Sequence, residues 1–496
     1  MILAIDEGTT GVTCLVIDRD CQVRGRAYRE FTQHFPRPGW VEHDPREIWD
    51  VVRQVAAESA AKADTTLDAL SAIGITNQRE TIVLWDRATG EPVHNAIVWQ
   101  DRRTADLCAR LEAEGAGPAI RERTGLLIDP YFSATKLSWI FEQHPELLRR
   151  AEAGELAFGT IDSWLVWKLT GGACHVTEPT NASRTLLFNI DERKWDPALL
   201  DTLGVPAAVL PDVRSSSEEY GVSTGDAFGA ELPVCGMAGD QQAALFGQGC
   251  WATGLGKNTY GTGAFLLLHT GEQRVASERG LLTTVACGPR GEYNFALEGA
   301  IFVAGAAIQW LRDGLGIIDS ADETEQLAGS LESNDDVYFV PAFGGLGAPH
   351  WEPGARGTIV GLTRGTSAAH LARAALEAMA YSTFDVARAM EADSGVEMKE
   401  LRVDGGAAAN DWMMQFQADL LDVPVRRPAM LETTALGAAG LAGLASGFWD
   451  SPDDFLTAKT DDMLFRPKMG ASRRGELLAG WQRALSTATH WAHNGS

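Results

Sequence analysis

Short apolar runs joined by tight turns open the chain. The runs ILAID (2–6) and TCLVID (13–18) flank the turn EGTTG, and a third run follows near GRAYREF. Runs of this length between glycine-containing turns predict an antiparallel meander of strands. A helix is expected to begin at Pro45 behind the cap residue Asp44, because apolar residues then recur every three or four positions. With the returning strand LSAIGIT (70–76), this order predicts an α/β layer with a mixed sheet.

The second half of the chain begins like the first. The segment NTYGTGAFLLLHT (258–270) echoes DEGTTGVTCLVID (6–18), with a polar lead, a Gly-Thr turn and an apolar run. This echo predicts an internal duplication. We therefore expect two domains, at residues 1–247 and 248–496, with the boundary after GDQQAALFG (239–247).

Further elements are predicted in the second half. The pattern indicates a strand DVYFVPAF (336–343), a long helix from Ser367 to Asp393 closed by Gly395, and a strand ELRVD (400–404) that leads into GGAAAN. The longest uncharged apolar stretch, 433–449, is short for a membrane span and rich in Ala and Gly. We therefore expect a packed helix there.

The charge balance narrows the function classes. The 496 residues include 42 Lys and Arg against 67 Asp and Glu, a formal net charge of −25, which disfavours general binding to nucleic acid or to anionic membranes. The seven cysteines form no C-x-x-C pair, so neither a disulfide framework nor a zinc knuckle is indicated. The N-terminus lacks the basic start and apolar core of a secretion signal, and we expect a cytoplasmic protein without membrane insertion.

Two Gly-Thr turns could contact phosphate. Turns such as GTTG (8–11) and GTG (261–263) can bring backbone N–H groups and a hydroxyl close to an anion, because glycine lacks the Cβ that would hold the ligand away. Either turn alone is also typical of an ordinary hairpin, but their pairing in two similar halves favours a shared ligand. A third cluster, DGGAAAN (404–410), lies between a strand and an expected helix, where backbone can approach a ring or a phosphate. Alone, it is equally consistent with a structural role.

Several common nucleotide and metal motifs do not fit. Gly256-Lys257 is followed by Asn258 and lacks the glycine spacing of a P-loop. The chain has no G-x-G-x-x-G at a strand-to-helix turn and no H-E-x-x-H. P-loop, dinucleotide-binding and zinc-protease chemistries are therefore disfavoured.

Two polar strings adjoin expected strands. NQRE (77–80) follows LSAIGIT directly, at the edge where open sheets often bind ligands, although a local ion pair is the alternative interpretation. GDQQ (239–242) places an acid between glycine and amides, either as the lining of an interdomain cleft or as a helix N-cap. Trp99, Tyr131 and Phe265 are by default core or surface aromatics.

Taken together, the strings resemble the glycerol kinases of the FGGY carbohydrate kinase family over nearly the whole chain. The strings that carry this resemblance are PGWVEHDPREIW (38–49), GITNQRETIVLW (74–85), NAIVWQDRRT (95–104), TGLLIDPYFSATKLSWI (124–140), GDQQAALFG (239–247), KNTYGTG (257–263), GLGAPHWEPGARG (345–357) and RVDGGAAAN (402–410). The patterns Y-x-S-x-x-K-L-x-W (131–139) and G-x-I-x-G-L (357–362) would indicate only a sugar or polyol kinase. ITNQRE and GDQQ are the strings that point to glycerol.

The resemblance implies a fold, two substrates and roles for particular residues. The implied fold is two duplicated α/β domains of the ribonuclease H-like, actin- and hexokinase-type ATPase class around a central cleft. The implied ligands are glycerol, ATP and Mg²⁺, and the implied assembly is a homodimer or homotetramer. Residues implied to hydrogen-bond the hydroxyls of glycerol are Arg79, Glu80, Tyr131, Asp240 and Gln241, and those implied to pack on its carbon chain are Trp99 and Phe265. Residues implied to surround ATP are Thr9, Thr10, Gly11, Thr262, Gly305, Gln309, Gly406 and Asn410, with Asp6 near the magnesium.

The implied reaction is in-line transfer of the γ-phosphoryl group of ATP to a terminal hydroxyl, with Asp240 accepting its proton. An aspartate is a weak base, but in a loose transition state the attacking oxygen keeps its proton until late. Orientation therefore counts for more than basicity. Two alternatives stay open: a family member acting on another polyol or sugar, and a non-catalytic ATP-binding module resembling actin or a chaperone.

The chain departs from the family pattern at two places. The first phosphate turn often reads D-Q-G-T-T-S-S-R in the family, but here Glu7 stands for Gln and Thr13 for the closing Arg. Because Glu7 adds an acid and Thr13 removes a cation, we predict weaker nucleotide binding than in relatives with the usual pattern. The stretch GVSTGDAFGAELP (221–233), where some relatives bind fructose 1,6-bisphosphate, has no Arg or Lys. We predict that this inhibition is absent, and inhibition by low concentrations of the bisphosphate would contradict that prediction.

Overall fold

The computed structural model describes residues 1–457 and 462–493 and divides the chain into two compact units. The first unit comprises Met1–Trp251, Thr283–Phe295 and the segment that begins at Thr433. The second comprises Ala252–Leu282, Ala296–Glu432 and the C-terminal segment from 462. The single boundary expected at 247 stays a prediction. Two segments of the second half of the sequence belong to the first compact unit.

The strands, in chain order, are β1 Ile2–Glu7, β2 Gly11–Ile17, β3 Val23–Glu30, β4 Glu42–His43, β5 Ala72–Asn77, β6 Ile82–Asp86, β7 Ala96–Ile97, β8 Leu156–Thr160, β9 Val176–Thr177, β10 Phe188–Asn189, β11 Lys194–Trp195, β12 Asp212–Val213, β13 Ser217–Val222, β14 Pro233–Gly239, β15 Leu255–Tyr260, β16 Ala264–Gly271, β17 Leu282–Cys287, β18 Tyr293–Ile301, β19 Tyr338–Val340, β20 Thr358–Val360, β21 Glu400–Asp404, β22 Val425–Arg427 and β23 Met463–Phe465.

The α-helices are α1 Pro45–Lys62, α2 Ala105–Ala113, α3 Gly117–Thr124, α4 Ser133–Gln143, α5 Pro145–Glu152, α6 Ile161–Leu169, α7 Pro179–Ala182, α8 Pro197–Leu203, α9 Gly225–Phe228, α10 Asp240–Gly247, α11 Gly305–Gln309, α12 Glu323–Gly329, α13 Ala368–Ser394, α14 Asp411–Leu421, α15 Thr433–Ala445, α16 Pro452–Thr457 and α17 Ala471–His493. Within the described residues, no helix is both long and apolar enough to cross a membrane.

The first unit is built on a mixed sheet with the strand order β13-β14-β5-β1-β2-β3. β1 pairs with β2 antiparallel and with β5 parallel, and β14 pairs with β5 parallel. Helix α1 begins as predicted, because the Asp44 side chain accepts a hydrogen bond from the Arg46 N–H and Pro45 occupies the first helical position. Its apolar stripe, including Ile48 and Val52, is buried in the core of this unit. The predicted meander and mixed sheet are confirmed.

The sheet of the second unit repeats this plan. Its strands include the consecutive order β18-β16-β15-β21-β22-β23, with β15 antiparallel to β16 and parallel to β21. The trio β15, β16 and β21 therefore corresponds to β1, β2 and β5. The echo between the two halves of the sequence thus reflects a repeated structural unit, as expected.

Helix α15 lies in the second half of the sequence but packs against the sheet of the first unit and against α10. The prediction of a packed helix in this apolar stretch is confirmed. Close approach of backbones explains its small residues, since a Cβ on Gly437 would overlap the backbone oxygen of Ala243. A Cβ on Gly74 of β5 would likewise overlap the backbone oxygen of Ala438. Nothing local in the sequence links this helix to β5, which lies more than 350 residues earlier.

Two predicted strands are shorter than expected. The strand predicted at 336–343 contains only β19, because Asp336 adopts a left-handed backbone with φ 59° and Pro341 follows the strand. The strand predicted at 70–76 begins at Ala72, after a 3-10 turn at Leu67–Ala69. The strand at 400–404 is confirmed, as is the helix closed by the left-handed Gly395. All seven cysteines are free thiols.

Candidate functional site

Three charged residues meet where two neighbouring parallel strands end. Arg79 and Glu80 follow β5, and Asp240 follows β14, whose last residue Gly239 pairs with Asn77. The Nε of Arg79 lies 3.3 Å from Asp240 Oδ1 and 3.8 Å from Glu80 Oε1. Parallel pairing of β5 with β14 therefore brings together the two polar strings singled out from the sequence.

Burial differs sharply among these charges. The side chains of Arg79 and Glu80 are each 2% exposed, whereas that of Asp240 is 34% exposed. Arg79 also donates from Nη1 to Gln242 Oε1 at 3.2 Å, which fixes the guanidinium from a second side. The cluster thus holds a buried cation behind an accessible carboxylate, an arrangement that can present Asp240 to a ligand.

Glu80 is fixed from several directions. Its backbone is left-handed, with φ 63°, and its carbonyl accepts a hydrogen bond from Ser133 Oγ at 2.9 Å. The Nε of Arg184 lies 2.6 Å from Glu80 Oε1, and the Arg184 side chain is fully buried. A residue in this strained backbone conformation is held by its surroundings, and such residues concentrate at functional sites.

Two aromatic side chains lie near these charges. The rings of Trp99 and Tyr131 are 5.5 Å apart and nearly perpendicular, at 77°. Trp99 Nε1 donates to Thr9 Oγ1 at 2.8 Å, which connects the aromatic pair to the first Gly-Thr turn. The guanidinium of Arg184 lies 5.5 Å from the Tyr131 ring. Apolar ring surface beside fixed polar groups suits a small ligand that carries both carbon and hydroxyl groups.

Helix α10 begins with Asp240 and positions its neighbour. Gly239 occupies the capping position, so the interpretation of Asp240 as an N-cap is wrong by one residue. The Asp240 carboxylate accepts the Gln241 backbone N–H at 2.7 Å and the Gln241 amide at 3.2 Å. Asp240 therefore lies at the positive end of a helix, which favours negative charge there.

The first Gly-Thr turn closes with a hydrogen bond from Gly8 N–H to the Gly11 carbonyl at 3.0 Å. Thr10 is exposed, and Asp6, half-buried, lies at the end of β1 opposite Thr13 of β2. The turn therefore exposes Thr10, and Asp6 lies near the end of the strand that leads into it. Thr13, where the family has an Arg, is thus a close neighbour of Asp6.

Glu7 departs from the expectation that it adds negative charge to this turn. Its side chain is fully buried and accepts a hydrogen bond from Gln78 Nε2 at 2.9 Å. Burial raises the pKa of Glu7 well above its usual range. A raised pKa extends the pH range in which Glu7 is neutral, so the loss of a cation at Thr13 is the clearer local change.

Asp6 is the residue of this turn that could hold magnesium. Across residues 1–457 and 462–493, no group of three or more His, Cys, Asp or Glu side chains forms a ready metal cage. Mg²⁺ commonly binds through one or two carboxylates, waters and the phosphates of a nucleotide. A single half-buried carboxylate beside a phosphate-type turn fits that mode of binding.

The second unit contains a separate cavity of about 540 Å³. Its lining includes all five residues of this half that were expected around ATP, namely Thr262, Gly305, Gln309, Gly406 and Asn410. The second Gly-Thr turn is closed by a hydrogen bond from Gly261 N–H to the Gly263 carbonyl at 2.8 Å. A Cβ on Gly305 would lie 2.7 Å from the Gly261 carbonyl, so only glycine fits there. Three distant stretches of sequence thus converge on one cavity.

Some residues of these sites were missed by the sequence analysis. Arg312 and Glu325 line the cavity from helical segments that carry no motif. Phe265, by contrast, was predicted to contact glycerol, and it lies half-buried on β16 of the second unit. Arg184 was also missed. Its only signal in the sequence is a charge within a mostly uncharged stretch, TEPTNASRT (177–185).

Comparisons with known proteins identify relatives over the whole chain. Models of the N-terminal and C-terminal domains of the FGGY family of carbohydrate kinases match residues 1–247 and 256–446. A protein named glycerol kinase from Petrotoga mobilis is 56% identical over 99% of this chain and 98% of its own length. Another of the same name, from Trichlorobacter lovleyi, is 57% identical over 99% of both chains. The crystal structure of Plasmodium falciparum glycerol kinase with ADP is 36% identical, with a TM-score of 0.92 over 98% of both chains.

Proposed function

Because the chain belongs to the FGGY family of carbohydrate kinases, we infer that it transfers the γ-phosphoryl group of ATP to glycerol and forms sn-glycerol 3-phosphate. Relatives named glycerol kinase that are 56% identical over nearly the whole chain support glycerol rather than another polyol or a sugar. The observation that carries the proposal is the Arg79, Glu80 and Asp240 cluster beside the Trp99 and Tyr131 rings.

For the glycerol site, we propose that polar groups of the first unit bind the three hydroxyls. A neutral triol has little apolar area, so selectivity has to come from directed donors and acceptors, and a lost hydroxyl partner can cost about 10⁴–10⁵-fold. The residues proposed for this role are Arg79, Glu80, Tyr131, Asp240 and Gln241, with Trp99 and Phe265 against the carbon chain.

Asp240 is proposed as the group that orients the attacking hydroxyl and receives its proton. Its carboxylate is accessible, and Arg79, 3.3 Å away, fixes one oxygen. Because proton loss is late in a loose phosphoryl-transfer transition state, an aligned carboxylate can act without being a strong base.

The nucleotide is proposed to contact both Gly-Thr turns and the cavity of the second unit. The residues proposed are Thr9, Thr10, Gly11, Thr262, Gly305, Gln309, Gly406 and Asn410. Asp6 would hold Mg²⁺, which when bound neutralises charge on the phosphates. A homodimer or homotetramer in the cytoplasm is proposed from the family resemblance.

The test couples ADP formation to a panel of polyols for the wild type and Asp240→Asn. Asp50→Asn, the same substitution at an exposed position of α1, is the matched control. We expect glycerol-dependent ADP formation by the wild type and the control, and a fall in kcat of at least about 10²-fold for Asp240→Asn. Near-full turnover by Asp240→Asn would remove Asp240 from this role. Absence of glycerol-dependent turnover in the wild type would contradict the function itself.

A further inference from the structure

A buried turn at Glu178–Arg184 lies behind the charged cluster of the first unit. It contains the short helix α7 and ends at Arg184, and its polar residues Thr180 and Asn181 are fully buried. None of these residues was predicted to contact a substrate. The turn is therefore a candidate for an indirect contribution to the reaction.

The Glu178 carboxylate organises this turn. It accepts hydrogen bonds from Thr180 N–H at 2.8 Å and Thr180 Oγ1 at 2.5 Å, and from Asn181 N–H at 2.7 Å and Asn181 Nδ2 at 3.1 Å. Ser216 Oγ is a fifth donor, at 2.6 Å. Burial, with a smaller contribution from the buried Asp162, raises the pKa of Glu178 to about 7 against the opposing effect of these hydrogen bonds. Five donors on one side chain match an ionised carboxylate, which only accepts.

From the 178–184 turn, three connections reach the charged cluster. The Thr180 hydroxyl, which donates to Glu178, accepts the backbone N–H of Gly239 at 2.8 Å. Gly239 directly precedes Asp240, so Glu178 is connected to the start of α10 through one hydroxyl. This link is short and involves no solvent-exposed group.

The other two connections reach β5 and the residue that follows it. The amides of Asn181 and Asn77 form a reciprocal pair, at 3.0 and 3.1 Å, at the end of β5. Arg184 holds Glu80 at 2.6 Å. One turn thus contacts the end of β5, Glu80 and the backbone immediately before Asp240.

We propose that Glu178 is a positioning residue, whose buried carboxylate fixes the 178–184 turn and through it the distance between Glu80 and Asp240. This proposal rests on the proposed function, because it assigns the two carboxylates to one substrate. A displacement of about 1 Å between reacting groups can lower a rate about 10²-fold, so an indirect contact of this kind can matter to kcat.

A nearby pair of buried groups provides a comparison, because its hydrogen bond lies outside the 178–184 turn. Thr177 Oγ1 donates to Asp162 Oδ2 at 2.6 Å, three residues before Thr180 and equally buried. Among the described residues, neither side chain of this pair forms a hydrogen bond with Gly239, Asn77 or Glu80. Loss of the Thr177 hydroxyl should therefore cost stability without moving the cluster.

The experiment compares Thr180→Val, which removes the hydroxyl link at nearly constant volume, with Thr180→Ser, which keeps it, and with Thr177→Val as the matched control. Steady-state kcat, KM for glycerol, KM for ATP and the melting temperature are measured for each. We expect kcat of Thr180→Val to fall about 10 to 100-fold with KM for ATP unchanged, and Thr180→Ser to recover to within about threefold of the wild type. Thr177→Val should lose a similar amount of stability and keep wild-type kcat.

Equal kcat for Thr180→Val and Thr177→Val would overturn the proposal, since the turn would then act through stability alone. If Thr180→Val does not fold, Ser216→Ala removes a different donor from the same carboxylate. A fall in its kcat at unchanged KM for ATP supports positioning, and wild-type kcat contradicts it. Failure of the proposed function is distinguishable, because the wild type itself would then show no glycerol-dependent turnover.

Discussion

The guanidinium of Arg79 lies 3.3 Å from the carboxylate of Asp240, with the cation buried and the acid open on one side. The pair joins the ends of β5 and β14, which are far apart in sequence and adjacent in the sheet. A planar guanidinium can contact Asp240 through Nε and Gln242 through Nη1 together, which a single ammonium group cannot reproduce.

Arg79→Lys is therefore expected to lower kcat/KM for glycerol by at least about 10²-fold, because a positive charge remains but the two-sided contact is lost. KM for ATP should stay within about threefold of the wild type. Arg53→Lys, the same change at an exposed position of α1, is the control. Wild-type kcat/KM in Arg79→Lys would show that the geometry of Arg79 is not used.

Thr13→Arg tests the departure of the first phosphate turn from the family pattern. Thr13 pairs with Asp6 in the β1–β2 register, close to the first Gly-Thr turn that joins the two strands. A charge-assisted bond to phosphate contributes about 1.5–3 kcal/mol, so nucleotide binding measured by calorimetry should tighten roughly 10 to 100-fold.

Thr66→Arg adds the same charge at an exposed position of the first unit and controls for general electrostatic attraction. A similar gain in both variants, or no gain in Thr13→Arg, would mean that position 13 does not face phosphate in this protein.

Acid should destabilise the protein partly through His43. The His43 side chain is fully buried, and its Nε2 lies 2.8 Å from Gln33 Oε1. Burial, with a smaller effect of His34, lowers the pKa of His43 to about 3. Between pH 6.5 and 3 the unfolded chain binds a proton that the folded chain excludes. The contribution of His43 to stability is therefore full above about pH 6.5 and decreases as the pH falls, by about 1.4 kcal/mol per unit.

Denaturant unfolding between pH 7 and 4 measures this effect. His43→Gln should show a smaller loss of unfolding free energy across that range than the wild type. His144→Gln replaces a histidine whose side chain is 43% exposed and should follow the wild type. Parallel pH profiles for the wild type and His43→Gln would contradict the assignment.

The packing of α15 on the first unit predicts a strong effect at Gly437. A Cβ there would overlap the Ala243 carbonyl, so Gly437→Ala has to displace backbone and should destabilise the protein by about 1–3 kcal/mol or prevent folding. Gly475→Ala, in α17, adds its Cβ to open space and should be neutral or stabilising, because alanine favours helix. Thermal unfolding distinguishes the two outcomes, and equal melting temperatures would contradict this packing.

Local sequence predicted β1, β2, β3 and β21 and the two Gly-Thr turns, because each depends on neighbouring residues. Arg79 and Asp240 stand directly after apolar strands, and parallel pairing then brings them together. The contribution of α15 to the first unit could not be predicted, since it depends on backbone contacts with residues such as Gly74 far away in sequence. Glu178 and Arg184 were missed because burial and hydrogen bonding, not residue type, distinguish them.

The central claim is that this chain is a kinase of glycerol, and specificity constants for glycerol, a tetritol and a pentulose with ATP test it most directly. We expect the highest kcat/KM for glycerol, with sn-glycerol 3-phosphate as the product. A pentulose or tetritol that greatly exceeds glycerol in kcat/KM would contradict the account.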